Sequence, residues 1–85
     1  MLIDHMNEIT KETYKVAKIA QTNNLHCVSV LFENNITKKL EHREGWFTTL
    51  AEANAYGDYI YNQEKLNHEE IVIYVDDELM SKHII

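Results

Sequence analysis

The run Ile71–Val75 is the feature that most constrains the fold, because all five of its residues are β-branched or aromatic. A continuous run of this kind indicates a central strand of a sheet. The chain has 85 residues and a single cysteine, so no internal disulfide can support that sheet. A chain of this length can build only one thin core, and we predict a single α+β domain spanning residues 1–85.

Two segments upstream of this run also have strand patterns. Residues 26–33 alternate between two sets of side chains, which predicts a strand with two distinct faces. Residues 36–43 alternate more weakly, with Ile36 and Leu40 expected to face inward. Lys38 interrupts that alternation, and lysine is typical of edge strands because it discourages pairing with other chains.

Two segments have the periodicity of helices. Apolar and small residues recur at spacings of three and four within His5–Thr22, and Asp4 is the expected N-cap. Thr49 and Glu52 form the capping-box pattern, which predicts a second helix over Leu50–Asn62.

The remaining elements complete a simple order. The turn residues Asp76 and Asp77 are followed by a last strand over residues 78–84. Gly57 lies inside the second helix, where glycine costs about 1 kcal/mol, so we expect a close approach of that helix to the sheet. The predicted architecture is α-β-β-α-β-β, with a four-stranded, mainly antiparallel sheet and both helices on one face.

Acidic charge is concentrated in the second half of the chain. The net charge is −6; residues 1–40 contain four acids and five bases, whereas residues 41–80 contain ten acids and two bases. This asymmetry argues against direct binding to nucleic acid, which requires a basic surface. It favours a protein partner that is itself basic.

No motif of catalysis or metal binding is present. The five histidines lack the spacings of metal ligands, and Cys27 has no second cysteine and no activating group beside it in the sequence. We therefore predict neither an enzyme nor a metal or cofactor site, and we interpret Cys27 as a small apolar residue of the sheet. The N-terminus resembles no secretory signal and no apolar run is long enough to cross a membrane, so a cytoplasmic location is expected.

The aromatic residues suggest a binding surface. Of the adjacent pair Trp46-Phe47, Phe47 is expected to pack under the second helix and Trp46 to remain partly exposed. Exposed aromatic residues beside acids are enriched at interface hot spots. The side chains predicted to contact the partner are Glu64, Glu69, Glu70, Asp76, Asp77, Glu78, Trp46 and Tyr56.

These observations lead to two functional hypotheses. The first is a small acidic protein-binding module that occupies a basic, nucleic-acid-handling site on its partner, as a phage or mobile-element inhibitor would. It requires the predicted acids to gather into one patch. The second is a self-associating structural or regulatory domain that forms a homodimer through Leu31, an exposed strand edge and the aromatic pair.

Overall fold

The computed structural model describes residues 1–83 and confirms the predicted class and element order. The last residue assigned to the predicted final strand, Ile84, lies outside the described residues. A short 3-10 helix at Leu2–His5 comes first. The remaining elements are α1 (Met6–Thr22), β1 (His26–Glu33), β2 (Leu40–Phe47), α2 (Leu50–Glu64), β3 (Ile71–Val75) and β4 (Glu78–His83).

The four strands form one antiparallel sheet in the order β2-β1-β3-β4. β1 is therefore central, and its Leu31 lies between His42 of β2 and Val72 of β3. β3 is also flanked on both sides, as its continuous apolar run predicts. β2 is an edge strand, as the sequence pattern also indicates.

The prediction that both helices share one face of the sheet is wrong. α1 packs on the face of β1 that carries Cys27 and Leu31, whereas α2 packs on the face that carries Val28 and Val30. Successive strand residues point to opposite faces, so the sheet lies between the two helices. The physical reason is that all six inner positions of β1 are buried, and one helix layer cannot cover both of its faces.

The core on the α2 side is continuous and includes Ala53 of α2 and Ile73 of β3. A Cβ at Gly57 would lie 2.6 Å from the sulfur of Met80 on β4. α2 therefore approaches the sheet closely at Gly57, as expected, and a larger residue there would require Met80 to shift. Thr49 caps α2 as predicted, because its hydroxyl accepts a hydrogen bond of 3.2 Å from the backbone N–H of Glu52.

The segment before β2 departs from the predicted strand. β2 begins at Leu40, and Ile36 is 91% exposed in a turn instead of facing the core. The side chain of Asn34 accepts hydrogen bonds from the backbone N–H groups of Ile36 and Thr37, at 2.9 and 3.0 Å. This local turn competes with strand formation and explains the difference.

The first turn of α1 also differs from the prediction. The 3-10 helix precedes α1, so its N-cap is His5 and not Asp4. The buried face of α1 agrees with the predicted periodicity at Ile9, Val16 and Ala20.

Candidate functional site

The end of the sheet that includes the β3–β4 turn, which we call the turn end, contains half of the predicted acids. Asp76 directly follows β3 and lies beside Cys27, the second residue of β1. Trp46 of β2 lies on the other side of Cys27, as its antiparallel partner. The sheet therefore brings Trp46 and Asp76 to the same end of the molecule.

The carboxylate of Asp76 is held in place by two donors. One oxygen accepts a hydrogen bond of 3.1 Å from the backbone N–H of Cys27, and the other lies 3.0 Å from Nδ1 of His26. The backbone φ of Asp76 is 55°, a left-handed value that aspartate tolerates better than most residues. Asp76 is thus a structural element of the turn, and its carboxylate has a fixed orientation.

Cys27 is a buried residue of the sheet and not a reactive thiol. Its side chain is fully buried, as the sequence predicts. Burial, and secondarily the charge of Asp76, raises the pKa of the Cys27 thiol to about 11. A thiol with such a pKa is almost entirely protonated at neutral pH and is a poor nucleophile.

A cavity of about 360 Å³, here called the turn-end pocket, lies between α1 and the β3–β4 turn. This volume is at the lower end of the range for small-molecule sites. Its wall is mixed in character, with the half-exposed ring of Tyr14, the apolar Ala17 and Leu25, and the ammonium of Lys18 5.5 Å from the centroid of that ring. The pocket also borders the carboxylates of Asp76 and Asp77.

The opposite end of the sheet contains a second concentration of acids. A groove of about 500 Å³, the base-end groove, is lined by the carboxyl groups of Asp4, Glu33, Glu69 and Glu70. The terminal ammonium of Met1 lies 2.7 Å from the Glu33 carboxylate and 3.2 Å from that of Asp4.

These contacts shift the titration of both ends of the Met1–Glu33 pair. The hydrogen bond from the Met1 ammonium, together with that from His5, lowers the pKa of Glu33. The same pairing with Glu33 raises the pKa of the Met1 ammonium. The groove is therefore already partly neutralised by cationic groups of the chain itself.

The expectation that the predicted acids gather into one patch is wrong. Glu64, Glu69 and Glu70 precede β3, whereas Asp76, Asp77 and Glu78 follow it. Glu70 and Asp76 flank the five residues of β3, so the two groups lie about 20 Å apart, because a strand rises about 3.3 Å per residue. An extended strand between two acidic turns cannot bring them together.

The acids of each group differ in whether their carboxylates pair with other groups of the chain. The Glu64 carboxylate lies 3.2 Å from His68, and Glu70 accepts a hydrogen bond from the backbone N–H of Leu2. Among the side chains of residues 1–82, the carboxylates of Asp77, Glu78 and Glu69 have no hydrogen-bond or ion-pair partner.

The two predicted aromatic anchors have different environments. The Trp46 side chain is 40% exposed on the edge strand β2, which agrees with the partial exposure expected for it. Tyr56 is half-buried on α2 and packs against Phe47, with 5.1 Å between the ring centroids. Tyr56 therefore supports Phe47 and is not available as a free anchor.

The chain keeps its carboxylates and its lysine and arginine side chains apart. In the part of the chain that the structure describes, no lysine or arginine lies within 4.0 Å of a carboxylate, although the sequence contains 14 acids and eight such bases. Among the described side chains, histidines do lie within 4.0 Å of carboxylates, namely His5, His26, His42 and His68.

Sequence reasoning missed Tyr14, Lys18 and His26 as residues of the turn end. Tyr14 and Lys18 lie on α1, far from the acids in sequence, and no local pattern relates them to the β3–β4 turn. The only signal was the position of His26 at the start of a strand, which does not identify its partner fifty residues away.

Comparison with known proteins gave no match, either to a protein-family model or among the curated proteins and the solved structures. Among residues 1–83, no three histidine, cysteine, aspartate or glutamate side chains are arranged to hold a metal ion. None of the helices in that range combines the length and apolar character that crossing a membrane requires.

Proposed function

We propose that this protein is a binding module that recognises a basic surface of a partner protein, with the turn end as its contact surface. The observation that carries the proposal is the separation of charge. No described lysine or arginine is paired with a carboxylate, so the acids that histidines, the Met1 ammonium and backbone N–H groups do not engage remain available to an external cation. Such a field accelerates encounter with a basic partner and weakens as salt screens it.

The turn end suits this role better than the base-end groove. Asp77 and Glu78 are exposed and have no partner among the described residues. In the groove, by contrast, the Met1 ammonium and His5 already engage Glu33. An external cation would have to compete with these groups at the groove but not at the two turn carboxylates.

Apolar surface beside the acids supports the same choice. Trp46 is 40% exposed on β2, and Leu50 is 49% exposed at the start of α2, near the end of β2. Large side chains that become buried on binding supply most of the affinity at protein interfaces, whereas exposed charges mainly set the association rate and specificity. The turn end offers both kinds of group.

The acids are also compatible with the inhibitor hypothesis, since carboxylates can occupy positions where phosphates would bind. The separation of the two acidic ends by about 20 Å changes the form of that hypothesis, however. Contact through the turn end alone requires only a local basic patch, whereas contact through both ends requires a long basic cleft. The proposal is limited to the turn end because Asp77 and Glu78, two of its three predicted acids, have no partner among the described side chains, whereas only Glu69 of the predicted acids at the other end is unpaired among them.

The test is an amide NMR titration of the full chain with a short peptide rich in lysine and arginine. We expect shifts concentrated at residues 76–78, Trp46 and the start of α2, and we expect them to shrink at high salt. The double variant Asp77→Lys/Glu78→Lys should weaken peptide binding roughly tenfold or more, since each lost interfacial charge contact costs on the order of 1 kcal/mol.

The charge-matched comparison is between two single variants, Asp77→Lys at the turn end and Glu69→Lys at the other end of the sheet, because each replaces one carboxylate with one ammonium group. Glu69 is exposed in the base-end groove, and Glu69→Lys should leave the peptide-induced amide shifts at the turn end in place. Shifts that follow Glu69 instead of Asp77, or binding that is indifferent to salt, would contradict the proposal.

A further inference from the structure

The edge of β2 is long, regular and unpaired. β2 spans eight residues and pairs with β1 through an unbroken register from Leu40 to Phe47. Its sequence contains neither proline nor lysine. An edge strand with these properties presents a row of free backbone donors and acceptors that can pair with another strand.

The other edge of the sheet is protected. The pairing of β4 with β3 shifts between Ile73 and Tyr74, which leaves Met80 as an extra residue. A bulge of this kind bends the strand and discourages edge-to-edge pairing. The contrast between the two edges indicates that β2 is the edge suited to strand addition.

Neither helix is centred over β2. The buried residues of α1 pack on β1, and the core beneath α2 is built mainly from β1 and β3. β2 therefore lies at the margin of both helix layers, and four of its eight residues are exposed. A second strand could pair with β2 without displacing either helix.

The charges of β2 are complementary to a second copy of themselves. Glu41 and Arg43 lie opposite Phe32 and Val30, so both side chains lie on the α2 side of the sheet. Two β2 strands related by a two-fold axis at His42 place each Glu41 directly opposite the Arg43 of the other copy. Opposite charges in directly facing positions stabilise antiparallel pairs.

We infer that β2 is a dimerisation edge, at which two copies of this chain pair in antiparallel register about His42 and form a continuous eight-stranded sheet. The contact is isologous, as most closed dimers are. It involves a different strand edge from the acidic turn and does not depend on the proposed partner. The earlier hypothesis of a dimer through Leu31 is not retained, because Leu31 is fully buried under α1.

Charge reversal tests the register directly. Sedimentation of the wild-type chain over a wide concentration range should show a monomer–dimer equilibrium. Glu41→Arg places two arginines opposite each other at both contacts, and Arg43→Glu does the same with two glutamates. Each variant should weaken association roughly tenfold or more, because two favourable pairs become two repulsive ones.

The double variant Glu41→Arg/Arg43→Glu restores opposite charges in this register and should recover the dimer. It also lacks the contact of Arg43 with the Phe32 ring, so recovery cannot be attributed to that contact. Asp58→Arg on α2 and Lys82→Glu on β4, the opposite edge strand of the sheet, are matched controls, because both positions are exposed and neither lies on β2. These controls change the net charge by the same amount as Glu41→Arg and Arg43→Glu do, and they should leave the dimerisation constant within about twofold of the wild type.

A cysteine cross-link gives a second, independent readout. In a Cys27→Ala background, His42→Cys faces its own copy across the axis and should form an intermolecular disulfide, because facing residues have Cα atoms about 4.5–5.5 Å apart. Glu44→Cys faces Leu40 in this register and should cross-link poorly. A strictly monomeric wild type, a double charge variant that does not recover the dimer, or efficient cross-linking at position 44 instead of 42 would overturn the inference.

Discussion

Met80 occupies the space that a side chain at position 57 would need, since its sulfur lies 2.6 Å from the position of a Cβ on Gly57. Gly57→Ala gains up to about 1 kcal/mol of helix propensity but forces Met80 or α2 to move, and overpacking costs about 1–3 kcal/mol. We expect a net loss of about 1 kcal/mol in the free energy of unfolding. In a Met80→Ala background the same substitution should cost nothing or stabilise, which a double-mutant cycle in denaturant measures.

Among the acids of the β3–β4 turn, substitution of Asp76 should lower the free energy of unfolding most. Asp76→Ala removes the acceptor for the Cys27 N–H and for His26, and we expect it to lower the free energy of unfolding by about 1–3 kcal/mol. Asp76→Asn keeps an acceptor and tolerates the positive φ, so it should cost less. Asp77→Ala, in the same turn but exposed, should stay within about 0.5 kcal/mol of the wild type, and an equal loss at both positions would contradict this assignment.

The predictable parts of this fold are those specified by neighbouring residues. The β-branched run of β3 and the Thr49–Glu52 cap of α2 can be read within a few positions, so the element order follows from the sequence. The side of the sheet that α1 covers depends instead on β1, where both faces are buried. Cys27 and Val28 lie on opposite faces of β1, but this alternation does not predict which helix covers each face.

The candidate site was harder to predict because it depends on distances along the sheet. The aspartates of the turn were identified from local chemistry, but their separation from Glu69 and Glu70 is set by the length of β3. The pairing of His26 with Asp76 joins residues fifty positions apart, and no local pattern encodes it. The partial exposure of Trp46 could be anticipated because adjacent strand residues point to opposite faces, so Trp46 cannot pack under α2 together with Phe47.

Cys27 should be unreactive in the folded protein. Its side chain is fully buried and its pKa is raised to about 11, so on the order of one thiol in a thousand is ionised at pH 8. We expect a thiol-specific disulfide reagent to label it only at the rate of unfolding, and to label it rapidly in denaturant. An Asn35→Cys variant in a Cys27→Ala background, exposed in the β1–β2 loop, supplies the control for an accessible thiol; equal rates for the two would contradict the burial of Cys27.

The ionisation of Glu33 should make the free energy of unfolding depend on pH. The Met1 ammonium, and then His5, lower its pKa below the ordinary value of 4.5. A carboxyl group whose pKa is lower in the folded state stabilises the fold above its unfolded pKa, and this contribution is lost as the pH falls through the folded pKa. The wild type should therefore be more stable than Glu33→Gln at pH 6, and the two should converge as the pH drops below the folded pKa of Glu33.

Denaturant titrations across the acidic range measure this convergence. The variant Glu69→Gln, at an exposed position, is the control and should follow the wild type throughout. A difference between the wild type and Glu33→Gln that is constant with pH would show that the ionised carboxylate is not what stabilises this end of the sheet.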